Sequence, residues 1–158
     1  MKRHLRILML LGIFGGTPAA WAEDFVAVAF GASEVPPVPS QTLGVALLST
    51  SQSETRVNIQ MFVFNGDAVT QAHIHCGDVG QNGPIVVFLA GLIAQGHDVD
   101  GRWISNAKFK EDNIIPGSAC GDTLDQLLMA MRERRTYLNV HTVANPGGEV
   151  RGQIFQRP

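Results

Sequence analysis

The sequence predicts an all-β chain, an antiparallel Greek-key-like β-sandwich with one short α-helix, on three observations. Short runs alternate apolar and polar residues, clusters of Gly, Pro, Asn and Ser separate those runs, and a 3.6-residue apolar period stands out in a single stretch. Size agrees with them: 158 residues make about one domain, and a hydrophobic fraction of 45% is ordinary for a chain that folds around a core.

The N-terminus reads as a signal peptide over residues 1–22. Lys2, Arg3 and Arg6 form a basic region, Ile7 to Phe14 is nearly all apolar, and Ala20-Trp21-Ala22 is a small-residue cleavage signal. The apolar run is shorter than the ~20 residues a spanning helix needs. The expected mature domain is therefore 23–158, periplasmic or secreted, with no membrane span after cleavage. Cleavage leaves nine Lys and Arg against fourteen acids and moves the net charge from -2 to -5. That balance excludes nucleic acid as a main partner, because phosphate backbones need clustered positive charge.

The first expected strand is Phe25 to Phe30. "GASEVPPVPS" follows, and its prolines forbid helix and imply an edge or extended crossover. "TLGVALLST" and "TRVNIQMFVFN" come next, joined by a turn at "SQSE", with Val57, Ile59, Met61 and Val63 on one face. "QAHIHC" and the continuous apolar "IVVFLAG" are two more strands, while Gly96 to Pro116 reads as a long loop with one strand around Trp103 to Phe109. In "GDTLDQLLMAMRERR", Leu124, Leu127, Leu128 and Met131 recur at helical spacing behind Asp122 as the expected cap. Arg132, Arg134 and Arg135 then read as a solvated last turn. "TYLNVHT" and "EVRGQIF", joined by "VANPGG", close the chain as a hairpin.

Cys76 and Cys120 are the only cysteines. An even count in an exported chain points to a disulfide closing about 45 residues, with Cys76 as a thiolate metal ligand the alternative. In "QAHIHC", alternation puts Ala72, Ile74 and Cys76 on one face and His73 and His75 on the other. In "TYLNVHT" it puts Leu138 and Val140 on one face and Tyr137, Asn139 and His141 on the other. If the two strands are neighbours, His73, His75 and His141 meet as a ligand set suited to copper or zinc. Glu34, Asn139, Glu149 and Arg151 form a candidate polar site, read first as hydrogen-bond and ion-pair partners that tie the sandwich together. No G-x-S-x-G elbow and no phosphate-binding glycine loop is present, so those catalytic classes find no support.

"FGASEVPPV", "AHIHCGDVGQNGPIVVFL" and "YLNVHTVANPGGEVRGQI" together resemble the CHRD family, named after repeats in chordin, from about Phe25 to Phe155. The resemblance implies an extracytoplasmic β-sandwich that acts as a binding module for an unidentified protein or small ligand, and it implies no particular catalysis. "HIHCGDVGQNG" and "ACGD" are more weakly similar to copper-zinc superoxide dismutases, which would make His73, His75 and His141 copper ligands of an enzyme. The sequence departs from that pattern in lacking a metal-bridging histidine, a zinc loop and an Arg ahead of "ACG". The remaining alternative is a purely structural or protein-interaction domain whose histidines are incidental.

Overall fold

The computed structural model describes residues 22–158, so the signal-peptide reading lies outside the described residues apart from Ala22. Eight strands and one helix follow in the order β1 (Asp24–Phe30), β2 (Leu43–Thr50), β3 (Val57–Cys76), β4 (Ile85–Ala90), β5 (His97–Phe109), α1 (Leu124–Arg132), β6 (Thr136–Thr142), β7 (Val150–Gln153) and β8 (Phe155–Gln156). All the named strand pairings are antiparallel.

The 20-residue β3 organises the molecule, because it serves two layers. Its first half pairs with β2 and β5, and its second half pairs with β4 and β6. Between the halves, Asn65 and Ala68 adopt positive φ of 53° and 46°, and the register against β5 shifts there. The sequence reads two strands with a break over this region. The backbone instead bends and continues, which carries one strand from one layer into the other. A bridge between Phe30 of β1 and Arg151 of β7 joins the layers again on the far side, giving a sandwich with barrel character.

The core lies between the layers. Phe25, Ala27 and Ala29 of β1 and Met61 and Val63 of β3 face Ile74, Leu138, Val140 and Val150 in one buried cluster. At the buried Gly44, a β-carbon would lie 3.4 Å from both Val140 and Val150, so the layers approach closely there. The apolar stripe of α1 seals the core, with Leu127, Leu128 and Met131 fully buried. Burying one such side chain stabilises the fold by about 1.5–3 kcal/mol, far more than nine residues of helix propensity supply.

Four details differ from the sequence reading. The N-cap of α1 is Thr123, whose hydroxyl accepts from Gln126 N–H while the Gln126 side chain accepts from Thr123 N–H. Asp122 instead accepts from Gly117 N–H. Arg132 is not simply solvated: it pairs with Glu23 at 2.9 Å and Glu54 at 3.4 Å, tying the helix end to the start of β1 and the β2–β3 turn. The expected strand around Trp103 to Phe109 begins six residues earlier, at His97. The final strand breaks at Ile154, whose N–H turns back to Thr136.

Candidate metal centre

β3 and β6 are neighbours, so the condition placed on the histidine set is met. The register puts Gln71 opposite His141, His73 opposite Asn139 and His75 opposite Tyr137. All six therefore share the face turned away from the core. His73 lies 4.7 Å from His141 and 5.6 Å from His75 between ring centroids, and one ligand nitrogen from each of the three rings falls within 4.8 Å of the others.

Alternation alone would leave this face wet, yet His73, His75 and His141 are only 1%, 9% and 5% exposed. Two loops account for contacts that bury them. His75 Nδ1 lies 2.9 Å from the Gly83 carbonyl, and His141 Nδ1 lies 2.9 Å from the Pro146 carbonyl. Gly83 can approach only because it has no side chain: a β-carbon there would sit 1.6 Å from the Cys76 carbonyl oxygen. Phe88 of β4 meets His73 edge-on at 4.7 Å, and Tyr137 stacks on His75 at 4.9 Å.

These contacts set the tautomers. A carbonyl oxygen only accepts, so Nδ1 carries the proton in His75 and in His141, and each Nε2 keeps its lone pair. His73 Nδ1 is 3.0 Å from His141 Nε2 and donates to it. That leaves His73 Nε2 and His75 Nε2 buried without any hydrogen-bond partner. Burial lowers the pKa of all three rings; in His73, burial and then the neighbouring His141 and His75 push it down to about 3. At neutral pH the cluster is thus three uncharged imidazoles, the form that binds metal.

Cys76 lies on the opposite, core face and is bonded to Cys120, with Cα atoms 5.7 Å apart. The alternative of a thiolate ligand beside His75 is excluded by that bond. His97 is exposed, packs against Trp103 at 5.9 Å and stands apart from the cluster.

The four polar residues are placed around the histidines without forming the expected ion pair. Among the described residues Glu149 and Arg151 make no salt bridge with each other. They serve different loops. Glu149 accepts from Ser40, Thr142 and Asn145, which fixes the turn carrying Pro146, and those bonds outweigh its burial and lower its pKa. Arg151, 2% exposed, donates to the carbonyls of Asp78 and Gln81 and to the Asn82 side chain while stacking 3.6 Å from the Tyr137 ring. It holds the loop that ends at Gly83. Asn139 donates to Glu34 and to the Val150 carbonyl, and burial raises the Glu34 pKa.

Sequence reasoning missed Tyr137 and Phe88 as parts of the site. The signal for Tyr137 was present, since the alternation that turns His141 outward also turns Tyr137. Phe88 depended on the register between β3 and β4, which pairs His73 with Phe88 through a bulge.

The CHRD domain family matches residues 25–154, almost the whole described chain. No curated protein and no solved structure gives a significant match, so the likeness to superoxide dismutases finds no support there. No helix among the described residues is long and apolar enough to cross a membrane.

Proposed function

We propose that this chain, which belongs to the CHRD domain family, is a periplasmic or secreted binding module that holds one copper or zinc ion through His73, His75 and His141. The observation that carries the reading is the pair of buried, unpartnered nitrogens, His73 Nε2 and His75 Nε2. Leaving a buried polar atom unmade costs about 1–3 kcal/mol, and two in one cluster of convergent imidazoles are offset by a ligand that uses lone pairs.

The supporting groups fit the same chemistry. Metal-bound histidines commonly donate their second nitrogen to a carbonyl, which fixes the ring and raises its basicity; His75 and His141 do so to Gly83 and Pro146. When bound by the three histidines, the ion would supply a fixed positive charge and Lewis acidity, and for copper a redox couple. The protein's own residues orient the rings and exclude water. Burial of all three rings favours retention of an ion over turnover of a substrate, so binding rather than catalysis is the reading. The disulfide fits an oxidising compartment.

Calorimetric titration of the mature protein with Cu(II) and Zn(II) tests this. One equivalent is expected, with loss of binding when His73 and His75 are both replaced by Ala in a variant whose circular dichroism is unchanged. Binding no stronger than that of a variant without histidines would sink the proposal.

A further inference from the structure

The outer face of the layer built from β8, β1, β2, the first half of β3 and β5 carries an apolar patch across β8, β1, β2 and β3, where a solvated antiparallel sheet is ordinarily polar. Alternation that sends Phe25, Ala27 and Ala29 into the core turns the intervening side chains of β1 outward. Val28, Phe30, Leu47, Phe64 and Phe155 are each more than a third exposed, Phe30 reaching 48%. Cross-strand register makes them contiguous rather than scattered: Phe30 pairs with Leu43, which pairs with Phe64, and Leu47 and Phe155 both pair with Val26. Phe62 extends the patch beside Phe64, their rings parallel at 6.4 Å. A continuous exposed patch of this kind marks an interaction surface.

The two ends of the face carry opposite charge. Arg56, Lys108 and Arg157 outnumber the single acid, Asp24, around one groove at the end where β1 begins and β2 finishes, and among the described residues none of the three has an ion-pair partner. At the other end, near the β3 bend, Asp67, Asp98 and Asp100 cluster. The seven residues of β1 separate the ends by roughly 20 Å.

We propose that a second copy of this chain packs on this face, related by a twofold axis that lies in the interface and runs across the strands. That operation lays apolar sheet on apolar sheet and sets the basic end of each copy against the acidic end of the other. A twofold interface must be complementary to itself, and a face with opposite charges at its two ends satisfies that condition.

Sedimentation of the mature protein in a chelator, over a concentration series, tests the inference without metal-bridged association and independently of the histidine site. A reversible dimer is expected, and Phe64→Glu, at a solvent-facing position, should weaken it at least tenfold with the circular dichroism spectrum retained. Two further variants read the charge pattern: Arg56→Glu with Lys108→Glu, and Asp67→Lys with Asp100→Lys. Each alone should dimerise more weakly, and an equimolar mixture should recover the dimer, since a copy acidic at both ends then meets a copy basic at both ends and opposite charges face each other in both places. A monomer at every concentration, which would assign the face to a different partner, overturns the inference. So does a dimer indifferent to Phe64→Glu, or a mixture that recovers nothing.

Discussion

Acid should destabilise the metal-free protein well before its carboxylates titrate, and His73 is the main reason. Its ring is neutral in the fold because burial and two neighbouring imidazoles push its pKa down to about 3, whereas in the unfolded chain it titrates near 6.5. A group with a depressed folded pKa leaves the unfolded state holding more protons between the two values, so stability rises with pH across that window. The stabilisation is complete above about pH 6.5 and is lost as pH falls toward 3. At pH 5 the unfolded ring is almost fully protonated and the folded ring is not; at 1.36 kcal/mol per pH unit, the difference from pH 7 is about 2 kcal/mol for this residue. His75 and His141 shift the same way. Glu34, whose pKa burial raises, shifts the opposite way and opposes them. Urea melts in a chelator at pH 7 and pH 5, on wild type and His73→Asn, isolate the term: wild type should lose about 2 kcal/mol more between the two pH values than the variant. Equal losses in both proteins would refute the assignment of a neutral, buried His73.

Arg151→Met should cost about 2–4 kcal/mol, because it removes charge-assisted bonds to Asp78, Gln81 and Asn82. Amide exchange should quicken selectively over residues 78–83, and an unchanged loop would show that Arg151 does not hold it. Replacing Cys76 and Cys120 together by Ser releases a constraint across 44 residues of sequence separation, and chain entropy puts the loss at roughly 4 kcal/mol, read from the urea midpoint. A loss under about 1 kcal/mol would mean that the unfolded chain is restrained by other means.

Much of the site was legible because strand alternation is local information. The pattern of "QAHIHC" and "TYLNVHT" places His73, His75 and His141 on one face without any knowledge of the fold, and the pairing of β3 with β6 then brings them together. Burial was not legible, because it comes from loops that approach from elsewhere in sequence: Gly83 and Pro146 cover a face that alternation alone would expose. The role of Arg151 was hidden for the same reason. Its acceptors are backbone carbonyls, which no residue pattern announces, and the obvious acidic neighbour Glu149 serves another turn. The continuity of β3 was missed because the expected strands stop at Asn65 and resume at Gln71, whereas the positive-φ bend between them keeps pairing with β5. The helix was readable from its stripe, since Leu124, Leu127, Leu128 and Met131 are all buried, but its start slipped by one residue between two adjacent capping side chains, Asp122 and Thr123.

The most direct measurement of the central claim is pulsed EPR on the protein loaded with one equivalent of Cu(II), comparing wild type with His73→Ala, His75→Ala and His141→Ala. Three coupled imidazoles in wild type, falling to two in each single variant, is the result the geometry predicts. A signal from fewer imidazoles that no single replacement alters would place the copper elsewhere on the protein and leave the three buried rings as a polar cluster without an ion.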